Sequence, residues 1–121
     1  MPGLPNDRNA PALYECPAYR MTATHTPWPE PEPPTEAELD RLLRAEGLSP
    51  RWWSNAPGDR YSSHSHPYHK VLYCARGSIR FDLSGESIEL SAGDRLDIEP
   101  DTPHAAVVGP EGVSCVEAAR S

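Results

Sequence analysis

From Leu48 to the C-terminus the chain is a series of short apolar runs broken by glycine- and proline-bearing turns. Ser78-Ile79-Arg80-Phe81-Asp82-Leu83 and Ser87-Ile88-Glu89-Leu90 alternate apolar with polar side chains, the period of a strand that buries one face. Val71-Leu72-Tyr73-Cys74-Ala75 is apolar on both faces, which predicts a strand covered on both sides. Arg51 to Ser54, Tyr61 to His66, Arg95 to Ile98, Ala105 to Val108 and Val113 to Ala118 complete the set. Turns are expected around Pro57-Gly58, Gly77, Ser84-Gly85-Glu86, Ala92-Gly93-Asp94 and Gly109 to Gly112. Strands this short, with turn signals about every eight to twelve residues, predict an all-β sandwich or barrel.

Upstream the pattern changes. Thr35 to Gly47 reads as a helix: Thr35 as N-cap with Glu38 three residues on forms a capping box, Leu39, Leu42 and Leu43 make one narrow apolar stripe, and Gly47 is a natural stop. A stripe that narrow predicts a helix lying on the outside of the β domain. Residues 1–34 hold nine of the fifteen prolines. Proline lacks an amide donor and fixes φ, so this stretch is expected to be an extended, largely disordered tail, with Trp28 docking on the domain surface and His25 a bystander. Met21 is a second candidate start, since nothing before it patterns as foldable.

Length and composition narrow the function classes. A chain of 121 residues is one domain by size, divided here into the tail (1–34), the helix (35–47) and the β domain (48–121). A net charge of -7 and a pI near 5.1 leave no basic patch to neutralise phosphates, which argues against a nucleic-acid partner. No apolar run is long enough to span a membrane, and no charged-then-apolar leader opens the chain. Three cysteines without framework spacing fit reduced thiols and a cytoplasmic setting. A β domain of this size is marginal alone, so a homodimer is expected, with Trp52, Trp53 and Tyr73 as candidate contact residues.

The chemistry concentrates in His64-Ser65-His66-Pro67-Tyr68-His69-Lys70. Residues two apart on a strand share a face, so His64 and His66 place two imidazoles side by side, and neutral imidazole is a ligand for divalent zinc, iron or nickel. His104 is the candidate third ligand, delivered by the loop from Pro100 to Pro103.

These histidines and their framing residues resemble the cupin superfamily, in its small single-domain form. Its first motif, G-x5-H-x-H-x3,4-E-x6-G, is matched by Gly58, His64, His66 and Gly77, and its second, G-x5-P-x-G-x2-H-x3-N, by Gly93 and His104. The departures are Lys70 at the glutamate, and Glu99, Asp101 and Val108 at the second motif's proline, glycine and asparagine. The resemblance implies an all-β fold, a cupin double-stranded β-helix, and a divalent metal (Zn, Fe, Mn or Ni) on His64, His66 and His104, with His69 an alternative fourth ligand should Pro67 shift the register.

In the resemblance's register Lys70, Leu72 and Cys74 face inward and His69, Val71 and Tyr73 outward. Three readings of Lys70 stay open: a neutral amine and candidate catalytic base, a cation holding an anionic substrate, or a side chain turned to solvent with water in the fourth position. Ser62 is expected to share the inward face of the histidine pair, and Tyr68 and Arg60 to stand at the mouth. Cys74 and Cys115 read as small buried apolar groups. A three-histidine centre with open positions implies dioxygenase, isomerase or lyase chemistry, or hydrolysis, on a small polar molecule. The alternative is a non-catalytic ligand-binding or sensory cupin, which the lost glutamate favours.

Overall fold

The computed structural model describes residues 22–120. Seven strands and one helix follow in the order β1 (Ala23–Thr26), α1 (Glu36–Ala45), β2 (Arg51–Asn55), β3 (Arg60–His64), β4 (His69–Leu83), β5 (Glu86–Leu90), β6 (Arg95–Ile98) and β7 (His104–Arg120). All pairings are antiparallel.

The architecture turns on β4 and β7, which pair along nearly their whole lengths, from His69 opposite Arg120 to Asp82 opposite Ala105. Both bend in the middle. Gly77 (φ 77°) and Gly112 (φ 80°) occupy left-handed backbone there, and a Cβ built on Gly77 would lie 2.0 Å from the Gly112 carbonyl oxygen. The register also shifts between Cys74 and Arg76 and again between Gly77 and Ile79. The bend folds the ribbon into two layers. One is built from β1, β6, the first half of β4, the second half of β7 and β2; the other from β5, the second half of β4, the first half of β7 and β3. The all-β expectation is met, but the turns expected at Gly77 and at Gly109 to Gly112 are bends inside two long strands.

The core lies between the layers. Leu72, Cys74, Leu96, Ile98 and Cys115 from one meet Ile79, Phe81, Ile88, Leu90, Ala106 and Val108 from the other. The opposite face of the first layer is covered by α1, whose Leu39 and Leu43 are fully buried on Val71, Tyr73, Ala75, Val116 and Ala118. That explains the two-faced apolar run: one parity fills the interior and the other lies under the helix. Thr35 caps α1 by accepting from the Glu38 amide at 3.1 Å. Glu46 ties the far end to the sheet through Arg95 (2.5 Å) and Arg120, and Arg95 also bonds Asp97 (2.7 Å) and the Tyr73 hydroxyl.

Two expectations need correction. Part of the proline-rich stretch is regular: Ala23–Thr26, a run without proline, pairs with β6 as an edge strand. His25 stays outside the histidine cluster, as expected, and its Nε2 donates to Asp94 at 3.2 Å. Trp28 docks as expected, its indole over Gly93 and its amide donating to Asp94 at 3.0 Å. Residues 1–21 lie outside the described chain. Of the three candidate dimer-contact aromatics, only Trp52 is exposed; Tyr73 is covered by α1 and Trp53 packs against the interior cluster.

Candidate metal centre

His64 and His104 are brought together by strand pairing. The two residues are direct partners across β3 and β7. Between Tyr61 and His64 the register slips, three residues of β3 running against two of β7. This bulge resets parity, so Tyr61 and His64 both line the interior cavity, and Ser62, expected there, contributes only its backbone carbonyl.

His66 comes from the bend after β3. Its backbone carbonyl accepts from the Asp101 amide at 2.6 Å, which clips this bend to the loop that delivers His104. Asp101 has φ 62°, so the position occupied by glycine in the second motif keeps a glycine-like backbone on a residue that tolerates it. Tyr68 stacks on the His66 ring with centroids 5.0 Å apart.

The three rings converge. Centroids of His64 and His104 are 4.5 Å apart, of His64 and His66 4.9 Å, and of His66 and His104 5.3 Å. One nitrogen from each lies within 4.8 Å of the others. His64 Nδ1–H donates to the Ser62 carbonyl at 2.8 Å, and His104 Nδ1–H donates to the Thr102 carbonyl at 2.9 Å. A carbonyl can only accept, so in the neutral ring each bond fixes the tautomer and leaves Nε2 as a bare lone pair, the arrangement that orients metal-binding imidazoles.

Burial pushes the pKa of His66 below its usual value, helped by the nearby Lys70 charge. Burial lowers that of His104 as well, against the opposing Thr102 hydrogen bond. Both shifts favour the neutral ring, the form that binds a metal. His66 Nε2 and His104 Nε2 are buried with no hydrogen-bond partner. Two buried, unpartnered ring nitrogens this close together are costly unless something binds them, and a divalent cation fits that donor set.

The centre opens on a cavity of about 290 Å3. Lys70 is in its wall and only 8% exposed, so the reading that turns it to solvent is overturned by the inward parity of β4. Its Nζ lies 3.1 Å from Oε1 of Glu117. Glu117 also accepts from Trp53 Nε1 at 2.9 Å, with Arg51 3.7 Å from its other oxygen. Sequence reasoning missed Glu117. The signal was present: a lone acid in the apolar run Val113 to Ala118, two residues from inward-facing Cys115, needs a buried cation.

His69 is not brought to the centre. It sits on the opposite face of β4, its Nε2 donating to Asp97 at 2.8 Å, because Pro67 does not shift the register. Arg60 is exposed and stands outside the cavity wall. Cys74 and Cys115 are cross-strand partners and buried. The adjacent Cys74 sulfur and burial push the Cys115 thiol far up, which suits packing rather than ligation.

The comparisons with known proteins agree with this geometry. A family model for the cupin domain matches residues 51–116, and no curated protein matches the chain. Among solved structures it is similar to an uncharacterized conserved protein with a double-stranded β-helix domain from Klebsiella pneumoniae (27% identity, TM-score 0.53), over 60% of this chain and 65% of that one. KdgF from a Halomonas species is similar at 25% identity and TM-score 0.53, over 61% and 70% of the two chains. DMSP lyase DddQ from Ruegeria pomeroyi shares the fold at 21% identity and TM-score 0.57, over 61% of this chain and 38% of that one. With more than half its length matched to the family, an all-β double-layered fold, and histidines at the ligand positions of both motifs, the chain belongs to the cupin family.

Proposed function

We propose that this cupin binds one divalent metal ion on His64, His66 and His104 and uses it to act on a small polar molecule held in the adjoining cavity. The observation that carries this reading is the pair of buried, unpartnered Nε2 atoms on His66 and His104, beside a His64 whose tautomer is fixed by Ser62. Three imidazoles suit zinc, iron, manganese or nickel, and a metal with open positions would supply a Lewis acid or an oxygen-binding centre. Around it, Lys70 and Glu117 set the charge of the wall, while Phe81 and Ile79 from the opposite layer keep the floor dry. Dioxygenase, isomerase and lyase chemistry all fit this frame.

A second reading has its own support. The position that carries a carboxylate ligand in the family's motif holds Lys70, and Lys70 is engaged with Glu117. A centre short of one ligand suits a cupin that captures a ligand without transforming it. The two readings part in one experiment: protein reconstituted in turn with iron(II), zinc, manganese and nickel, incubated with small thiols and small oxo and hydroxy acids, and followed by oxygen uptake and by NMR of the substrates. Metal-dependent turnover supports the enzyme. Stoichiometric binding with no conversion supports the capture module.

The same proposal extends to the setting and assembly. Reduced Cys74 and Cys115, adjacent yet unbridged, fit a cytoplasmic protein, and the small core fits a homodimer. Among the described residues no helix is long and apolar enough to cross a membrane.

A further inference from the structure

We infer that the cavity receives a small carboxylate, with its acid group on Lys70 and its carbon skeleton against Phe81 and Ile79. This rests on the reading above that the cavity beside the histidines is a ligand site, and it names the ligand's class.

The charge balance carries the argument. The chain as a whole is acidic, at -7, yet the cavity is lined by the buried Lys70 and, at its solvent-exposed edge, by Arg51, against a single acid, Glu117. Even with the histidines counted as uncharged, the lining carries more positive than negative groups before a metal adds to it. The cation is also fixed in place. Lys70 is 8% exposed, and an ammonium has three donors; Glu117 Oε1, at 3.1 Å, takes one of them. Among the described residues no other anionic partner stands at Nζ. Glu117 is itself shared with Trp53 and Arg51, so it works as an anchor that holds Lys70 toward the cavity more than as a counter-ion that cancels it.

Lys70 lines the same cavity as His64 and His104, which fits a ligand that spans both. An oxygen on the ligand's other end would face the histidine Nε2 atoms. The remaining wall is apolar, with Ile79, Phe81 and Ala106 from the opposite layer, so the skeleton between the two ends is short and weakly polar. A cavity of about 290 Å3 is at the small end of ligand sites, which excludes large conjugates.

The test uses acids and their uncharged amides as probes: benzoate against benzamide, and malonate against malonamide. Binding is measured by calorimetry to metal-free and to zinc-loaded full-length protein. The expected result is a preference for each acid over its amide of about tenfold or more in both forms, as one well-placed charge contact gives. Lys70→Met should erase the preference. Glu117→Gln, which keeps an oxygen acceptor beside Nζ to hold Lys70 in place, should retain it. Should Lys70→Met leave Glu117 too exposed to misfolding, the double variant Lys70→Met/Glu117→Gln carries both charges away and should likewise show no preference. Equal binding of acid and amide by the wild type, a preference that survives the loss of Lys70, or no saturable binding of either acid overturns the inference. The metal-free measurement separates it from the metal proposal: a protein that takes up no metal but prefers acids through Lys70 keeps this inference, and a metal-loaded protein indifferent to charge loses it.

Discussion

His64 and His104 face each other as direct partners across β3 and β7, with ring centroids 4.5 Å apart. The pairing makes the candidate metal centre a property of the sheet rather than of a flexible loop. Each ring is oriented from behind by a carbonyl of its own local backbone, Ser62 for one and Thr102 for the other. Losing a ligand held this way should cost more than losing an outer-shell contact. His64→Ala is therefore expected to weaken zinc binding by more than about 100-fold in a chelator competition. A change within a few-fold would take His64 out of the site.

The neutral state of His66 and His104 has a consequence for stability. Burial holds both pKa values below the ordinary 6.5 in the folded chain, whereas the unfolded chain titrates near 6.5. As the pH falls through that value, the unfolded state takes up protons first, so stability drops with falling pH and is fully recovered above the window. The melting temperature of metal-free protein should decline as the pH is taken from about 7.5 to about 5.5. A melting temperature that stays flat or rises on acidification would contradict the assignment of both rings as buried neutral bases.

Lys70 and Glu117 are both largely buried, and each depends on the other. Removing one partner leaves an uncompensated charge in the wall, and Lys70→Met should destabilise the protein by about 3 kcal/mol in urea unfolding. Lys70→Met/Glu117→Gln should recover most of that loss. A double variant as unstable as the sum of its parts would mean that the two side chains are not coupled.

The corner of the fold rests on Gly77. Its left-handed φ and the Gly112 carbonyl oxygen, 2.0 Å from where a Cβ would stand, leave no room for a side chain. Gly77→Ala should cost more than about 2 kcal/mol, against about 1 kcal/mol at Gly85, a hairpin glycine whose φ of 77° is also left-handed but which has open space around it. Equal effects at the two positions would argue that β4 does not bend there.

Much of this was legible in the chain. The alternation in Ser78 to Leu83, the capping box of Thr35 and Glu38 and the spacing from Gly58 to His104 foretell the layers, the helix and the histidine centre. The inward parity of Lys70, Leu72 and Cys74 came from the family resemblance, and it holds because no residue between Lys70 and Cys74 disturbs the strand. What escaped depended on partners distant in sequence. Gly77 and Gly112 pattern as turns alone, and only their mutual contact shows two strands bending together. Ala23–Thr26 is too short and polar to announce itself, and it becomes a strand because β6 offers it an edge. The bulge that exchanges Tyr61 for Ser62 has no signature of its own, since it reflects how β3 meets β7.

The most direct test of the central proposal is elemental analysis of the protein purified without added metal and without a histidine tag, beside His104→Ala prepared in the same way. The account predicts about one equivalent of a divalent metal per wild-type chain and almost none in the variant. Absence of metal from the wild type, with none taken up on reconstitution with zinc, iron(II), manganese or nickel, would contradict it, as would a His104→Ala variant that keeps a full complement.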